Sequence, residues 1–381
     1  MARVYVSPDI LRWAAYRSGK SEIIHEKFPN WTKWIKNESQ PTFKQLETVA
    51  KATATPLGYF FLKEPPVQRL SIPHFRTIDN SRTFNPSPNL LDTVHMMERR
   101  QEWLRKYYIE KGYEPLPFVG TKSFKDDPKE VAKEIKEVLG LRNGWAAKCK
   151  TWQEALRMLF YLTDAAGIFL VVNGIVGNNT HRKLDINEFR GFVLVDEYAP
   201  IIFINGADFK AAKMFTLAHE LAHVWYGVSA AFDLQKLQPA DNEIEHVCNM
   251  VAAEFLVPEN ELQEIWLKHR KKDDRFQLLA RHFKVSEIVV ARRALDLTLI
   301  NKDEFLDFYQ HRVTNEKNNV DSSGGDFYAT QTFRIGRRFA ETVIRATREG
   351  KLLYSEAYRL TGLKGKTFNE YAERLGFGGD A

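Results

Sequence analysis

His219 and His223 stand four residues apart, with Glu220 directly after the first, in Phe215-Thr216-Leu217-Ala218-His219-Glu220-Leu221-Ala222-His223-Val224-Trp225-Tyr226-Gly227. On a helix this spacing puts both imidazoles on one face, one turn apart, where they can share a metal ion. Glu220 is turned by about 100° from His219 on the same wheel. Its carboxylate then lies beside the ion and is free to take a proton from water, so the chemistry expected is metal-assisted hydrolysis. A site of this kind needs a third protein ligand. The two cysteines, Cys149 and Cys248, are far apart and form no C-x-x-C pair, which suggests neither a disulfide framework nor a cysteine zinc site and leaves the metal to His and carboxylate ligands.

The next helical stretch, from near Asp241 to its stop at Pro258, offers Glu243, Glu245 and Glu254. With 3.6 residues per turn, Asn249, Ala252 and Leu256 lie within about 40° of Glu245, and Glu254 lies about 180° away. Only one of those faces can meet the motif helix. Ala252 and Ala253 permit close helix approach, and Asn249, one turn on, is placed to brace the ligand carboxylate. The geometry selects Glu245, giving His219, His223 and Glu245 as the metal set with a fourth position open to water.

Ala218-His219-Glu220-Leu221-Ala222-His223 followed by Glu245-x-x-Cys248-Asn249-x-x-Ala252-Ala253-Glu254-Phe255-Leu256-Val257-Pro258 resembles the ImmA/IrrE family of HExxH metallo-endopeptidases. Cys248 and Val251 stand where the family pattern has Ala and Phe. The resemblance implies zinc on His219, His223 and Glu245, Glu220 as catalytic base, and a zincin-like peptidase domain over residues 90–300. It also implies an intracellular endopeptidase that cleaves a specific regulatory protein, such as a repressor encoded nearby. An alternative of another class is a DNA-binding transcriptional regulator, or an antitoxin that binds its toxin, with the peptidase fold used partly or wholly for binding. Tyr226 and His246 are the nearest candidates for an oxyanion donor. Tyr226 reads as a core aromatic and His246, about 100° round from Glu245, as solvent-facing; neither is assigned a catalytic role.

The elements that must position these residues follow from periodicity. The spacing predicts helices over Leu90–Glu110, Pro128–Leu139 and Trp152–Ala166, then strands at Ile168–Val172, Phe189–Val195 and Ile201–Asn205, the last two as a hairpin. The motif helix follows at once, with Asp208 as its expected N-cap and Gly227 as its stop. The expected fold class is α+β: a small, mainly antiparallel sheet packed on helices, whose edge strand can take an extended peptide, flanked by all-α helix-turn-helix-like segments. Phe276–Leu297 also has a helix-turn-helix shape, with Arg292 and Arg293 read as packing residues.

Residues 1–64 read as short helices: Pro8–Ser18, a second from Pro29 through Ile35, and a third opened by a Thr42/Gln45 capping box, with Leu57–Leu62 as an apolar plug. They resemble the later helices of a lambda-repressor-type (Xre) helix-turn-helix domain with a recognition helix near Pro29–Lys36, although the usual second helix is not visible between Ser18 and Phe28. Residues 65–89 read as an extended linker, including Ile72-Pro73-His74-Phe75-Arg76, and 301–325 as another. Residues 326–381 read as a basic helical domain whose Arg334, Arg337, Arg338, Arg345 and Arg348 form either a phosphate-binding or a solvated face.

A chain of 381 residues, 44% hydrophobic and 27% charged, has room for two or three globular domains. No apolar run is long enough to span a bilayer and no leader precedes the first Pro, so no membrane role and a cytoplasmic location are expected, which argues against a digestive protease. The net charge of +6 divides into +4 over residues 1–64, +3 over 326–381 and −1 between them. Such basic ends suit DNA contact by the terminal domains, although excesses this small are also routine on solvated helical faces. The expected protein partner is a repressor or a toxin, and a homodimer is compatible with the sequence.

Overall fold

The computed structural model describes residues 3–67, 86–232, 243–316 and 327–377. These fall into two compact units, the first from residues 3–67, 86–96 and 180–183 and the second from the remainder. The expected linker core at residues 72–76 lies outside the described residues.

In the first unit, Pro8 opens helix α1 (Pro8–Arg17), followed by α2 (Ser21–Lys27), α3 (Trp31–Ile35), α4 (Phe43–Ala52) and a 3-10 turn at Leu57–Phe61. Helix α2 falls in the stretch where periodicity shows none. It buries only Ile24, so it has no apolar stripe to read. Trp31 and Trp34 meet edge to face at 6.2 Å beside Phe28, and with Leu11, Leu46 and Val49 they fill the core. The capping box is present: Gln45 N–H donates to Thr42 Oγ1 at 3.3 Å, and Thr42 N–H donates to Gln45 Oε1 at 2.9 Å. Of the expected plug only Phe60 is buried; Phe61 and Leu62 are exposed.

Helix α5 (Pro88–Glu110) enters the second unit at Met97. Helices α6 (Pro128–Val138), α7 (Trp145–Lys148) and α8 (Trp152–Ala165) lead to strand β1 (Phe169–Asn173). Short strands β2 (Ile175–Val176) and β3 (Asn179–Lys183) follow, then β4 (Gly191–Leu194), β5 (Ile201–Asn205), helix α9 (Lys210–Tyr226) and β6 (Ala230–Phe232). The main sheet has the order β1-β5-β4-β6. β5 pairs antiparallel with β4, Phe203 opposite Phe192, and β4 pairs antiparallel with β6; β1 pairs parallel with β5. The hairpin and the mainly antiparallel character agree with the sequence reading, and the parallel edge is added by a crossover that local pattern does not encode. β4 and β5 are buried along their whole length, as a sheet covered by helices requires.

Beyond the sheet come α10 (Glu243–Leu256), α11 (Glu259–His269), α12 (Arg275–Phe283), α13 (Glu287–Asp296) and α14 (Lys302–Glu316). Helix α14 occupies much of the expected 301–325 linker. The last helices, α15 (Phe327–Ile335), α16 (Arg337–Arg348), α17 (Tyr354–Thr361) and α18 (Gly365–Ala372), belong to the second compact unit. The mixed α+β fold fits a zincin-like peptidase domain. Among the described residues no helix is long and apolar enough to cross a membrane. Because the capping box satisfies two otherwise orphaned N–H groups of α4, Thr42→Ala is expected to destabilise that helix by about 1 kcal/mol, read as faster hydrogen exchange of its amides.

Candidate metal centre

Helix α9 is buried on every side from Thr216 to Tyr226, the signature of a helix enclosed by other elements rather than lying on a surface. Its start differs from expectation. Asp208 does not cap it, because its carboxylate accepts two hydrogen bonds from Arg190 Nη1, at 2.9 and 3.1 Å, and one from Phe209 N–H. The N-cap position falls to Phe209. At the other end Gly227, at φ +71°, closes the helix as expected. Gly120 N–H and Lys122 N–H donate to the last carbonyls, Val224 O and Trp225 O, each at 3.0 Å. A Cβ on Gly227 would lie 3.0 Å from Gly120 Cα, so the positive φ and the close backbone approach both call for glycine.

Helix α10 packs along α9 and α6. Its expected start near Asp241 lies outside the described residues. Glu245, on the face toward α9, is buried, whereas Glu254, on the opposite face, forms an ion pair with Arg293 and accepts from Glu259 N–H. Arg293 also donates to Val257 O and so ties α13 to the end of α10, whereas Arg292 pairs with Asp296 within α13. His246 is exposed.

Three ligand residues converge between the two helices. His219 Nε2 lies 3.1 Å from Glu245 Oε2, His223 Nε2 lies 3.2 Å from Glu245 Oε1, and the two Nε2 atoms are 3.1 Å apart. With zinc–ligand bonds of about 2.0–2.1 Å, neighbouring donors of a tetrahedral ion stand about 3.3 Å apart. The spacing therefore fits zinc, and two imidazoles with one carboxylate are a suitable donor set. Among the described residues this is the one cluster of His, Cys, Asp or Glu with metal-site spacing. Cys248 is buried beside it, its thiol pushed up by burial and by the Glu245 and Glu220 charges, and stays outside the donor set.

The electrostatics carry the same message. Burial lifts the Glu245 carboxyl, but the two imidazoles outweigh it and hold the group down at about 2. Burial lowers the His223 imidazole despite its contact with Glu245. Burial, and then the Glu245 charge, drives the Glu220 carboxyl well above its ordinary range. Neither Glu220 oxygen has a hydrogen-bond partner among the described residues. A fully buried carboxylate left unsatisfied is costly, and a cation beside it relieves that cost. Tyr226 is buried with its ring 4.8 Å from Phe124, in keeping with a core aromatic.

Two features escaped the sequence reading. His219 Nδ1 lies 3.0 Å from Asn249 Oδ1, so Asn249 braces a histidine and not the Glu245 carboxylate. Gly191 of β4 faces Glu220: a Cβ there would lie 3.0 Å from Glu220 Oε1 and 2.6 Å from Thr216 Cγ2. The readable signal for it was a lone glycine inside the Phe189–Val195 strand, which marks a close approach.

The fold and the converging His/Glu set fit a metallopeptidase-type domain. Residues 166–295 match a peptidase family model, the IrrE N-terminal-like domain, which supports the ImmA/IrrE family for about a third of the chain. Residues 335–374 match a domain of unknown function. No curated protein matches the chain.

The buried Glu220 sets a pH dependence. Its folded-state pKa is raised above the ordinary 4.5, so the metal-free protein binds more protons folded than unfolded and loses stability as pH rises past that value. Metal-free Glu220→Gln is therefore expected to melt higher than wild type near pH 7, with the gap closing toward about pH 4. A gap that does not change with pH would contradict this.

Proposed function

We propose that the chain is a zinc-dependent endopeptidase that cleaves a specific regulatory protein, such as a repressor encoded nearby. The observation that carries the reading is the convergence of His219, His223 and Glu245 within 3.1–3.2 Å of one another, next to a buried Glu220 carboxylate without a partner among the described residues. His219, His223 and Glu245 would hold the zinc. Bound there, it supplies Lewis acidity that polarises the scissile carbonyl and acidifies the attacking water. Glu220 takes the proton of that water on a carboxylate oxygen and passes it to the leaving amine. Its place beside the ligands suits both transfers. Gly191, lacking a side chain, leaves Glu220 its room. The strand best placed to take an extended peptide is β6, an edge strand among the described residues reached three residues after the motif helix, where substrate backbone can pair with the sheet.

Glu220→Gln is expected to keep zinc and to lose cleavage of the neighbouring gene's product by about 10²–10⁴-fold, followed by mass spectrometry. Cleavage at the wild-type rate would refute the mechanism.

A second reading, DNA binding by the N-terminal unit, is supported by a short helix α2 between α1 and α3 and by the exposed Lys27, Lys33 and Lys36 on and after α2 and α3. The full chain is then expected to shift its own promoter fragment in a salt-sensitive manner, and Lys33→Glu with Lys36→Glu to abolish the shift. Unaltered mobility of the promoter fragment with the wild-type chain would exclude it.

A further inference from the structure

We propose that Asn249 is a positioning residue that fixes which nitrogen of His219 is presented to the metal, an inference that rests on the zinc reading above. The amide oxygen Oδ1 lies 3.0 Å from His219 Nδ1. A carbonyl oxygen only accepts, so the proton of the neutral ring sits on Nδ1 and the lone pair on Nε2. That lone pair points to where His223 Nε2 and Glu245 Oε2 converge, each 3.1 Å away.

The Asn249 brace acts on His219; the His223 ring has the Val228 backbone beside it instead. Asn249 and Glu245 are one turn apart on α10, so a single helix face supplies both a ligand and the brace of a ligand carried by α9. A shift of α10 along α9 would disturb both at once.

Three forms of the full chain test this: wild type, Asn249→Ala and Asn249→Asp. Zinc affinity is read by chelator competition, and the His219 tautomer by long-range ¹H–¹⁵N correlation on the zinc-loaded protein. Wild type is expected to show the Nδ1–H tautomer. Asn249→Ala should bind zinc about 10–100-fold more weakly. Asn249→Asp, which keeps an acceptor at the same place, should recover most of that loss. Wild-type affinity in Asn249→Ala, no recovery in Asn249→Asp, or an Nε2–H tautomer in wild type would each overturn the inference. The wild-type tautomer keeps the test decisive should a variant fail to fold. Zinc binding and tautomer as expected without any cleavage would overturn the peptidase reading and leave this one standing, whereas a wild-type chain that binds no zinc overturns both.

Discussion

The structure of the second unit turns on one electrostatic constraint: two imidazole nitrogens and a carboxylate converge within 3.1–3.2 Å in a fully buried position. Lone pairs brought so close repel unless a positive charge lies among them, and burial removes the water that would otherwise screen them. Glu220 adds a second carboxyl whose oxygens meet no donor in the described protein. The arrangement is therefore sound as a cation site and poor as a core. Stability given up at such a place must be supplied by the surrounding packing. The all-round burial of α9, against α6, α8 and α10 on the helical side and β4 and β5 on the sheet side, is the matching gain.

Packing of that density sets the sheet and the helix at fixed backbone distances. Gly191 lets β4 approach the Glu220 turn of α9, and Gly227 lets the end of α9 meet Gly120. One contact lies beside the candidate base and the other just past the second histidine. Both ends of the motif are thus located by backbone against backbone or carboxylate, contacts with little freedom to slide. Side-chain rotamers then have few choices, and Asn249 removes one of those that remain for His219.

What was legible in the sequence follows the range of the information. The azimuth of a helical residue is fixed by 3.6 residues per turn, so the shared face of His219 and His223, and the choice of Glu245 over Glu254, could be read without coordinates. The partner of Asn249 could not, because a wheel gives direction and not the height of the facing helix. Asp208 looked like a cap by local rules, but Arg190, eighteen residues earlier, claims its carboxylate. Helix α14 falls within the expected 301–325 linker; among its described side chains only Phe305 is buried, so it shows little apolar stripe to read. The parallel pairing of β1 with β5 depends on a crossover of some thirty residues, beyond any local pattern.

The C-terminal helices show how a tertiary contact changes the meaning of a charge count. Arg100 of α5 is buried, and burial lowers its guanidinium to about 10. It donates to Ile335 O at 3.2 Å and to Leu360 O at 2.9 Å, the carbonyls at the ends of α15 and α17. Helix C-termini leave such carbonyls without intrahelical partners and carry partial negative charge, so one cation serves two helix ends. Arg337 pairs with Glu341, and Arg338 donates to Asp164 O while lying over the Phe169 ring. Of these two, Arg338 is therefore taken up by contacts within the fold, whereas Arg337 stays exposed beside Glu341 on its own helix. Lysines and arginines counted along the sequence measure a partner-facing surface only after those that hold helix ends and aromatic faces are set aside, and here that leaves Arg337 and Arg345, both exposed on α16, as better indicators of surface charge than Arg338.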